Sequence, residues 1–108
     1  MEAQPDDLRI TDNTDQRRYE AYLDTELAGY SEYRRVPGRV IFTHTVVPPR
    51  FAGRGIATRL VRHELDETRR QGLKVTPICP CVRAFIKRHP DYQDLLAAPL
   101  ADPAQTTR

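Results

Sequence analysis

Two glycines that follow a proline pair constrain this fold more than any other feature of the chain. Gly53 and Gly55 join a β-rich run, residues 39–47, to an amphipathic stretch that starts at residue 55. A helix starting there leaves its first N–H groups without intrahelical acceptors, and its dipole adds partial positive charge. Glycine permits positive φ angles and close approach of a ligand to the backbone. The segment predicts an anion-binding turn or an ordinary strand-to-helix connection, and it lacks the lysine and hydroxyl of a Walker loop.

Length and charge narrow the class of protein. The chain has 108 residues, 17 basic and 15 acidic side chains and a formal net charge of +2. This length suits one domain, and the small net charge argues against a dedicated nucleic-acid binder. Arginines nevertheless gather around the glycine turn, where they either meet phosphates or form a solvated helix face: Arg50, Arg54, Arg59 and Arg62.

The cysteines and the apolar runs indicate the compartment. Cys79 and Cys81 are separated by one proline, too close for an unstrained disulfide, and no second pair completes a zinc site. No apolar run approaches the ~20 residues of a membrane span, and the first residues lack the features of a signal peptide. We expect a soluble, cytoplasmic protein with reduced thiols, no bound metal and no membrane partner.

Alternation and turn residues predict the elements. A meander of three antiparallel strands is expected at residues 17–24, 27–36 and 39–47, and Pro48-Pro49 ends the last strand. A loop, a helix, a strand, a second helix and one or two helical turns follow at residues 48–54, 55–71, 73–78, 81–88 and 91–98. This order predicts an α/β fold of the α+β type with a mixed sheet. We expect one domain at residues 14–98, with flexible tails at 1–13 and 99–108.

A strand, helix, strand crossover places its two strands parallel and right-handed in one sheet. If residues 40–47 and 73–78 are such neighbours, a crevice opens at their carboxyl ends beside the helix N-terminus. Ligands favour such crevices in open α/β sheets.

Four blocks of the chain resemble the GNAT superfamily of N-acetyltransferases. Arg50-x-x-Gly53-x-Gly55 fits the Q/R-x-x-G-x-G/A loop of that superfamily, and it lies between a strand and a helix as it does there. The wider pattern is similar to the small, single-domain YidJ-like branch through FTHT-x-VPP at residues 42–49, GRGIA at 53–57, P-x-CP at 77–80 and HPDY at 89–92. The resemblance spans residues 16–96.

The resemblance implies a minimal GNAT acyl-CoA fold that binds acetyl-CoA as co-substrate. In the superfamily, the pyrophosphate meets the amides of the loop, and the pantetheine arm pairs like an added strand with the strand before it. Carried onto this chain, the arm lies along Thr45, Val46 and Val47. The loop residues are Arg50, Phe51, Ala52, Gly53, Arg54, Gly55, Ile56 and Ala57.

The chain also departs from the superfamily. Larger members build an acceptor pocket from helices between their first two strands, whereas here only residues 24–26 fill that gap. The acceptor site is then shallow or borrowed from another chain, which makes a homodimer possible. Many members use a tyrosine as general acid, and Phe85 stands at that place. Cys79 is the nearest substitute in sequence, and Tyr92 is a weaker one.

Several side chains are candidates for the chemistry. His44 suits proton removal from an amine because imidazole titrates near neutral pH, although its parity with Val40 and Phe42 also fits a core residue. Cys79 is either a general acid, a nucleophile or a buried thiol. Glu32 either reaches the amine through water or is an exposed strand carboxylate. Glu64 falls inside the apolar arc of the helix, either as a carboxylate turned out to an arginine or as a buried base.

Two classes of function remain from the sequence. The first is an N-acetyltransferase that transfers acetyl to a small amine or a protein lysine, by direct attack in a ternary complex or via Cys79. The second is a non-catalytic CoA or acyl-CoA binding module. A nucleic-acid adaptor that uses the arginine cluster is disfavoured by the small net charge.

Overall fold

The computed structural model describes residues 8–99 as one mixed sheet with two α-helices. In chain order the elements are β1 (Leu8–Asn13), β2 (Arg18–Leu23), β3 (Glu26–Val36), β4 (Arg39–Val46), α1 (Ile56–Arg70), β5 (Lys74–Pro77) and α2 (Pro80–Arg88). Short 3-10 helices at Pro49–Phe51 and Pro90–Leu95 follow β4 and α2. The predicted α/β fold is confirmed.

The sheet has the order β1-β2-β3-β4-β5. Its first four strands form an antiparallel meander, and β5 pairs with β4 in parallel. The turn between β3 and β4 depends on Gly38, whose φ of 81° suits glycine. The predicted meander, crossover helix and parallel strand are therefore present.

Strand β1 corrects the prediction of a flexible tail at residues 1–13. Residues 8–13 pair with β2 in continuous register, and Leu8 is buried in the hydrophobic core. The Tyr33 hydroxyl donates to Asp12 Oδ1 at 2.5 Å, and burial together with Asp12 raises the pKa of Tyr33 to about 12, so the donor stays protonated. These long-range contacts hold a polar sequence in a strand. The rest of the predicted tail, residues 1–7, lies outside the described residues.

The C-terminal boundary at residue 98 stays a prediction, and the contacts described just before it involve residues 96 and 97. Leu96 forms a parallel bridge with Val75, and the Ala97 N–H donates to the Val75 carbonyl at 2.9 Å. Most of the predicted tail, residues 100–108, lies outside the part of the chain that the structure describes.

Helices α1 and α2 pack against each other and against one face of the sheet, which we call the helix face. Tyr19, Tyr33 and Phe42 point into this layer with their rings 5.4 to 6.5 Å apart. Helix α1 contributes its buried stripe, consisting of Ile56, Leu60, Val61, Glu64, Leu65 and Thr68. Burial of these apolar side chains is the main stabilising contribution to the fold.

A β-bulge at Thr43 changes which side chains of β4 face the helices. Tyr33 pairs with Phe42, but the preceding residue Glu32 pairs with His44, so Thr43 is the extra residue. After a bulge the alternation of side chains reverses relative to the residues before it. Thr45 therefore lies on the helix face, and His44 lies on the opposite face, which we call the outer face. The prediction that His44 shares the side of Val40 and Phe42 is wrong for this reason.

Candidate functional site

Strands β4 and β5 separate at their carboxyl ends. Their pairing covers only Arg39–Phe42 of β4, and the N–H groups of Ile78 and Cys79 both donate to the Phe42 carbonyl, at 3.0 and 2.9 Å. Strand β4 continues to Val46 without a β5 partner among the described residues. The divergence leaves a gap with Thr45 on one side and Cys79 on the other.

The glycine turn lies at the mouth of this gap. Gly53 and Gly55 have φ angles of 81° and 74°, and a Cβ built at either position meets nothing within 4 Å. A cavity of about 240 Å³ is lined by Val47 and by residues 51–53 and 55–58. The predicted need for glycine at both positions is confirmed by their left-handed backbone.

The N–H groups of this turn divide into bonded and open ones. Phe51 donates to the Pro48 carbonyl at 2.9 Å and Ala52 to the Pro49 carbonyl at 3.1 Å, so their donors are used inside the 3-10 helix. Phe51 and Ala52 are among the loop residues whose amides were expected to be open to a pyrophosphate, and that expectation is wrong for these two residues. Within the described hydrogen bonds, the N–H groups of residues 53–58 have no internal acceptor, whereas the next one, Arg59, donates to the Gly55 carbonyl at 3.1 Å. Consecutive donors without internal acceptors at a helix start are the arrangement that binds anions in other proteins, and we call residues 53–58 the nest.

Two arginines lie beside the nest. Phe51 is buried, and the Arg50 and Arg54 guanidinium carbons lie 4.7 and 5.8 Å from the centre of its ring. Arg50 also pairs with Glu26 at 3.1 Å in solvent. Arg62 instead lies over the Phe85 ring and donates to the Tyr92 hydroxyl at 3.5 Å, so it belongs to the packing of α2. The basic character of the turn therefore comes in part from Arg50 and Arg54.

Cys79 is the N-cap residue of α2 and is only 2% exposed. Its Sγ lies 3.4 Å from the Thr45 Oγ1, and Thr45 Oγ1 lies 3.4 Å from the Ser31 Oγ. Ser31 is completely buried. The three side chains form a row of exchangeable protons that runs from the interior to the gap between β4 and β5.

Glu64 lies on α1 and is buried in the core. Its side chain is 0% exposed, and neither carboxyl oxygen has a hydrogen-bond partner among the described residues. Burial raises the pKa of Glu64 well above its usual value, the Ser31 hydroxyl opposes this rise, and Cys79 adds to it. The alternative of a carboxylate turned out to an arginine is therefore wrong. In the sequence, Glu64 is noticeable because it falls inside the apolar arc of α1, whereas no pattern in the sequence singles out Ser31.

His44 and Glu32 form a pair on the outer face. The His44 Nε2 lies 3.2 Å from the Glu32 Oε1, and their side chains are 51% and 37% exposed. A carboxylate beside an imidazole orients the ring through a hydrogen bond. The two predicted catalytic residues, His44 and Cys79, therefore lie on opposite faces of the sheet, next to the same gap.

The aromatic residues of α2 and the following 3-10 helix are packed structurally. Phe85 stacks on His89 at 4.1 Å, and the His89 ring Nδ1 contacts the Phe85 carbonyl at 2.9 Å, so His89 caps the end of α2. The Tyr92 hydroxyl donates to Asp66 at 2.7 Å, and burial followed by Asp66 raises the pKa of Tyr92. Tyr92 is thus engaged on α1 and is a poor substitute for a general acid.

Comparison with known proteins identifies the family. A profile of the GCN5-related N-acetyl-transferase family matches residues 18–95, and this chain belongs to that family. The NMR solution structure of a GCN5-like protein from Staphylococcus aureus aligns with a TM-score of 0.67 and 19% identity, covering 93% of this chain and 97% of that one. At this identity the likeness shows the fold. No curated protein matches the chain. The predicted GNAT membership is confirmed, and the YidJ-like branch stays a prediction.

Two searches of the described residues gave no further site. None of the helices between residues 8 and 99 is long and apolar enough to cross a membrane. In the same part of the chain, no group of three or more His, Cys, Asp or Glu side chains is placed to hold a metal ion.

Proposed function

We propose that this acetyltransferase uses acetyl-CoA and transfers the acetyl group to a primary amine by direct attack in a ternary complex. One observation carries the proposal. The N–H groups of residues 53–58 have no internal acceptor among the described hydrogen bonds and lie at and just before the start of α1, which follows the unpaired end of β4. Backbone donors at a helix start bind phosphate, and an unpaired strand accepts an extended ligand as an added strand.

The residues of the turn and strand fit the parts of acetyl-CoA. The nest of residues 53–58 suits the pyrophosphate, with Phe51 and Ala52 contributing contact surface rather than donors, and Arg50 and Arg54 adding positive charge. The backbone of Thr45, Val46 and Val47 suits the amide groups of the pantetheine arm. When bound, the co-substrate supplies the acetyl group as an activated thioester.

The reaction has two proton transfers. The pair of His44 and Glu32 on the outer face serves one of them, and the Cys79 thiol on the helix face serves the other. His44, oriented by Glu32, takes the proton that the amine loses. Cys79 holds a proton at Sγ on the other side of the gap and gives it to the departing sulfur. Holding amine and thioester together accounts for much of the acceleration, because effective molarities reach ~10⁵ to 10⁸ M.

Direct attack is the simpler route because it needs no covalent intermediate. Transfer via an acetyl-cysteine at Cys79, which is the N-cap residue of α2 with its Sγ 3.4 Å from the Thr45 Oγ1, is the alternative.

Replacement of Gly53 by valine tests the nest. Gly38 provides a matched control, since both glycines have a φ of 81° and open space at Cβ. Each valine costs about 1 to 3 kcal/mol in backbone strain, so both variants lose similar stability. By titration calorimetry, Gly53→Val should weaken acetyl-CoA binding about tenfold or more, equal to ~1.4 kcal/mol, because its side chain covers the amides. Gly38→Val should bind as the unsubstituted protein does. Equal affinities in all three proteins would contradict the nest assignment.

Replacement of Cys79 by alanine separates an enzyme from a binding module. With acetyl-CoA and a panel of polyamines, amino acids and lysine peptides, release of free CoA should fall at least about tenfold, because the departing sulfur loses its acid. Affinity for acetyl-CoA should stay unchanged, and Cys81→Ala serves as the control. Unchanged turnover removes Cys79 from the mechanism. If acetyl-CoA binds but no acceptor releases CoA in the unsubstituted protein, the chain is a CoA-binding module.

The acceptor side belongs to this proposal as well. We place the amine, from a small molecule or a protein lysine, on the outer face beside His44, where Tyr30 and Glu32 are partly exposed. No helix lies between β2 and β3 to form a wall of the acceptor site. A second copy of the chain is therefore a candidate to complete the site, and native mass spectrometry tests whether the protein is a dimer. The free thiols of Cys79 and Cys81 suit a reducing, cytoplasmic compartment.

A further inference from the structure

Strand β3 extends past its neighbour β2, and the difference leaves a notch in the sheet. Strand β2 begins at Arg18, which pairs with Glu32, so residues 33–36 of β3 have no partner on that side among the described pairs. The turn between β1 and β2, residues 14–17, borders the same space. We call this space the notch. It is a cavity of about 400 Å³ lined by Thr14, Arg17, Tyr33, Arg34 and Arg35. A cavity of this volume can hold a small ligand.

The notch lies away from the proposed acetyl-CoA site. It is on the β2 side of β3, whereas the gap is on the β5 side of β4. Tyr30 pairs with Val46 at the end of the two strands next to the gap, and Val36 pairs with Arg39 at the other end. The β3 residues that line the notch belong to this second half of the strand. A ligand in the notch is therefore separate from acetyl-CoA.

The main chain of β3 presents a donor to the notch. In an antiparallel ladder, successive residues direct their N–H groups to alternate neighbours. The Tyr33 N–H donates to the Arg17 carbonyl at 2.9 Å, on the β2 side, so the Arg35 N–H points to that side as well. Strand β2 pairs with β3 only as far as Glu32 and therefore offers the Arg35 N–H no acceptor.

The three arginines that line the notch are weakly neutralised. The Arg35 Nη1 donates to Gln71 at 3.1 Å, and its Nη2 lies 3.5 Å from the Asp12 Oδ2. Arg17 and Arg34 are exposed, and no hydrogen bond or ion pair of either side chain is described among residues 8–99. Like charges that line one cavity repel one another, and an anion between them removes this repulsion.

Arg17 occupies a backbone position that suits glycine better. Its φ is 58°, in the left-handed region, and its N–H donates to the Thr14 carbonyl at 3.3 Å to close the turn. Glycine or asparagine is the usual residue at such a position, because a side chain there is strained. Strain of this kind is typical of functional sites. The backbone conformation therefore indicates a use for the Arg17 side chain.

We propose that the notch binds a phosphoryl group, carried either by free phosphate or by a small phosphate monoester. The three guanidinium groups, the Thr14 hydroxyl and the Arg35 N–H together offer more donors than a carboxylate accepts. A phosphoryl group has three or more acceptor oxygens and close to two negative charges at neutral pH, and arginine binds it in a bidentate manner. The inference does not depend on the proposed acetyl transfer.

Amide NMR of the unsubstituted protein locates the binding. In ¹⁵N-labelled protein titrated at constant ionic strength, the Arg35 amide resonance should shift with inorganic phosphate and with phenyl phosphate, and much less with benzoate. Tighter binding of phenyl phosphate identifies a monoester as the ligand, whereas equal or tighter binding of inorganic phosphate identifies the free anion.

The same spectra keep the notch and the nest apart, because the amides of residues 53–58 report on the nest. Phosphate shifts confined to residues 53–58 would overturn the inference and leave the nest assignment intact. An Arg35 amide that responds to benzoate as strongly as to the phosphates would also overturn it.

Replacement of Arg34 by alanine tests the contribution of the charge. Since Arg34 is exposed, Arg34→Ala should keep the fold and weaken phosphate binding, measured at the Arg35 amide, at least about fivefold. Arg17→Ala should have a similar effect. The matched control is Arg88→Ala, which removes an exposed arginine from α2, outside the notch, and should keep the affinity of the unsubstituted protein. Equal affinities in Arg34→Ala and Arg88→Ala would overturn the inference, because attraction to net charge alone affects both variants alike.

Discussion

At the scale of single residues, Glu64 shows how a protein tolerates an acid in its core. Burial without a hydrogen-bond partner disfavours the charged form, so the pKa of Glu64 lies well above its usual value. Glu20 shows the opposite solution on the outer face of the sheet. It is also buried, but Asn13, Arg18 and Tyr22 donate to its oxygens at 2.7 to 3.1 Å and lower its pKa despite the opposing effect of burial.

The raised pKa of Glu64 predicts a pH-dependent free energy of unfolding. The unfolded chain releases this proton near pH ~4.3, and the folded chain holds it to a higher pH. The contribution of Glu64 is therefore complete below the unfolded pKa, falls by up to ~1.4 kcal/mol per pH unit above it, and is lost once the pH passes the folded pKa. Urea denaturation across this range should show that slope in the unsubstituted protein and its absence in Glu64→Gln.

Glu67→Gln is the matched control for this experiment, because Glu67 lies on the same helix and pairs with Arg70 at the surface. It should retain the slope of the unsubstituted protein. If Glu64→Gln and Glu67→Gln show the same dependence on pH, Glu64 is ionised in the folded state.

At the scale of elements, the bulge in β4 decides which groups can meet the substrates. The bulge places Thr45 toward Cys79 and His44 toward Glu32, so two consecutive polar side chains of β4 lie on opposite faces of the sheet. Regular alternation would have put His44 among the core aromatics. A bulge next to an active site commonly redirects a side chain in this way.

Gly29 on β3 allows the end of β4 and the start of α1 to approach closely. A Cβ at this position would lie 3.1 Å from the Val46 carbonyl oxygen, 3.1 Å from Val47 Cγ2 and 3.3 Å from Ile56 Cγ2. Gly29→Ala should lower the free energy of unfolding by about 1 to 3 kcal/mol through overpacking. Chemical denaturation measures this loss. The double variant Gly29→Ala/Val47→Ala should cost less than the sum of the two single changes, and strict additivity would show that the contact is not formed.

The elements that the sequence predicts well are those with local signals. The amphipathic stripe of α1, the alternation of β2 and β3 and the breaks at Pro48-Pro49 and Gly72 gave helices and strands to within one or two residues. Strand β1 was missed because its residues, LRITDN, are mostly polar and depend on Tyr33 and β2 for their partners. The bulge at Thr43 was missed because it results from pairing with a distant strand, and no local pattern encodes that register.

The candidate site also has a part that the sequence predicts and a part that it does not. The nest followed from Gly53, Gly55 and the start of α1, all within one segment. The contacts of Cys79 with Thr45, and of His44 with Glu32, join residues separated by 34 and 12 positions. Only the tertiary structure brings such pairs together.

At the scale of the whole molecule, the sheet has two different surfaces. Both helices and the apolar core lie on the helix face, whereas the outer face carries side chains that bond to one another, such as Arg18, Glu20 and Tyr22. Under the proposed function, substrates that meet in the gap between β4 and β5 approach from opposite sides of one thin layer, and the small domain needs no deep pocket.

Strand β1 is an integral part of this small domain. A chain that starts at Thr14 loses the pairing of β1 with β2, the buried Leu8 and the hydrogen bond from Tyr33 to Asp12. The free energy of unfolding should fall by about 3 kcal/mol, since burying a leucine alone contributes about 1.5 to 3 kcal/mol. Urea denaturation measures the change, and an unaltered midpoint would show that β1 contributes nothing to the folded state.

The divergence of β4 from β5 has a consequence for the behaviour of the protein in a crowded solution. A strand with unsatisfied main-chain groups is a template on which another polypeptide can align, and this is how aggregates begin. Most proteins protect such strands with charge, proline or a covering loop, whereas among the described residues no strand pairs with β4 beyond Phe42 on its β5 side. Under the proposed function, a molecule bound along this part of β4 also shields it from neighbouring chains, so we expect saturating acetyl-CoA to slow aggregation.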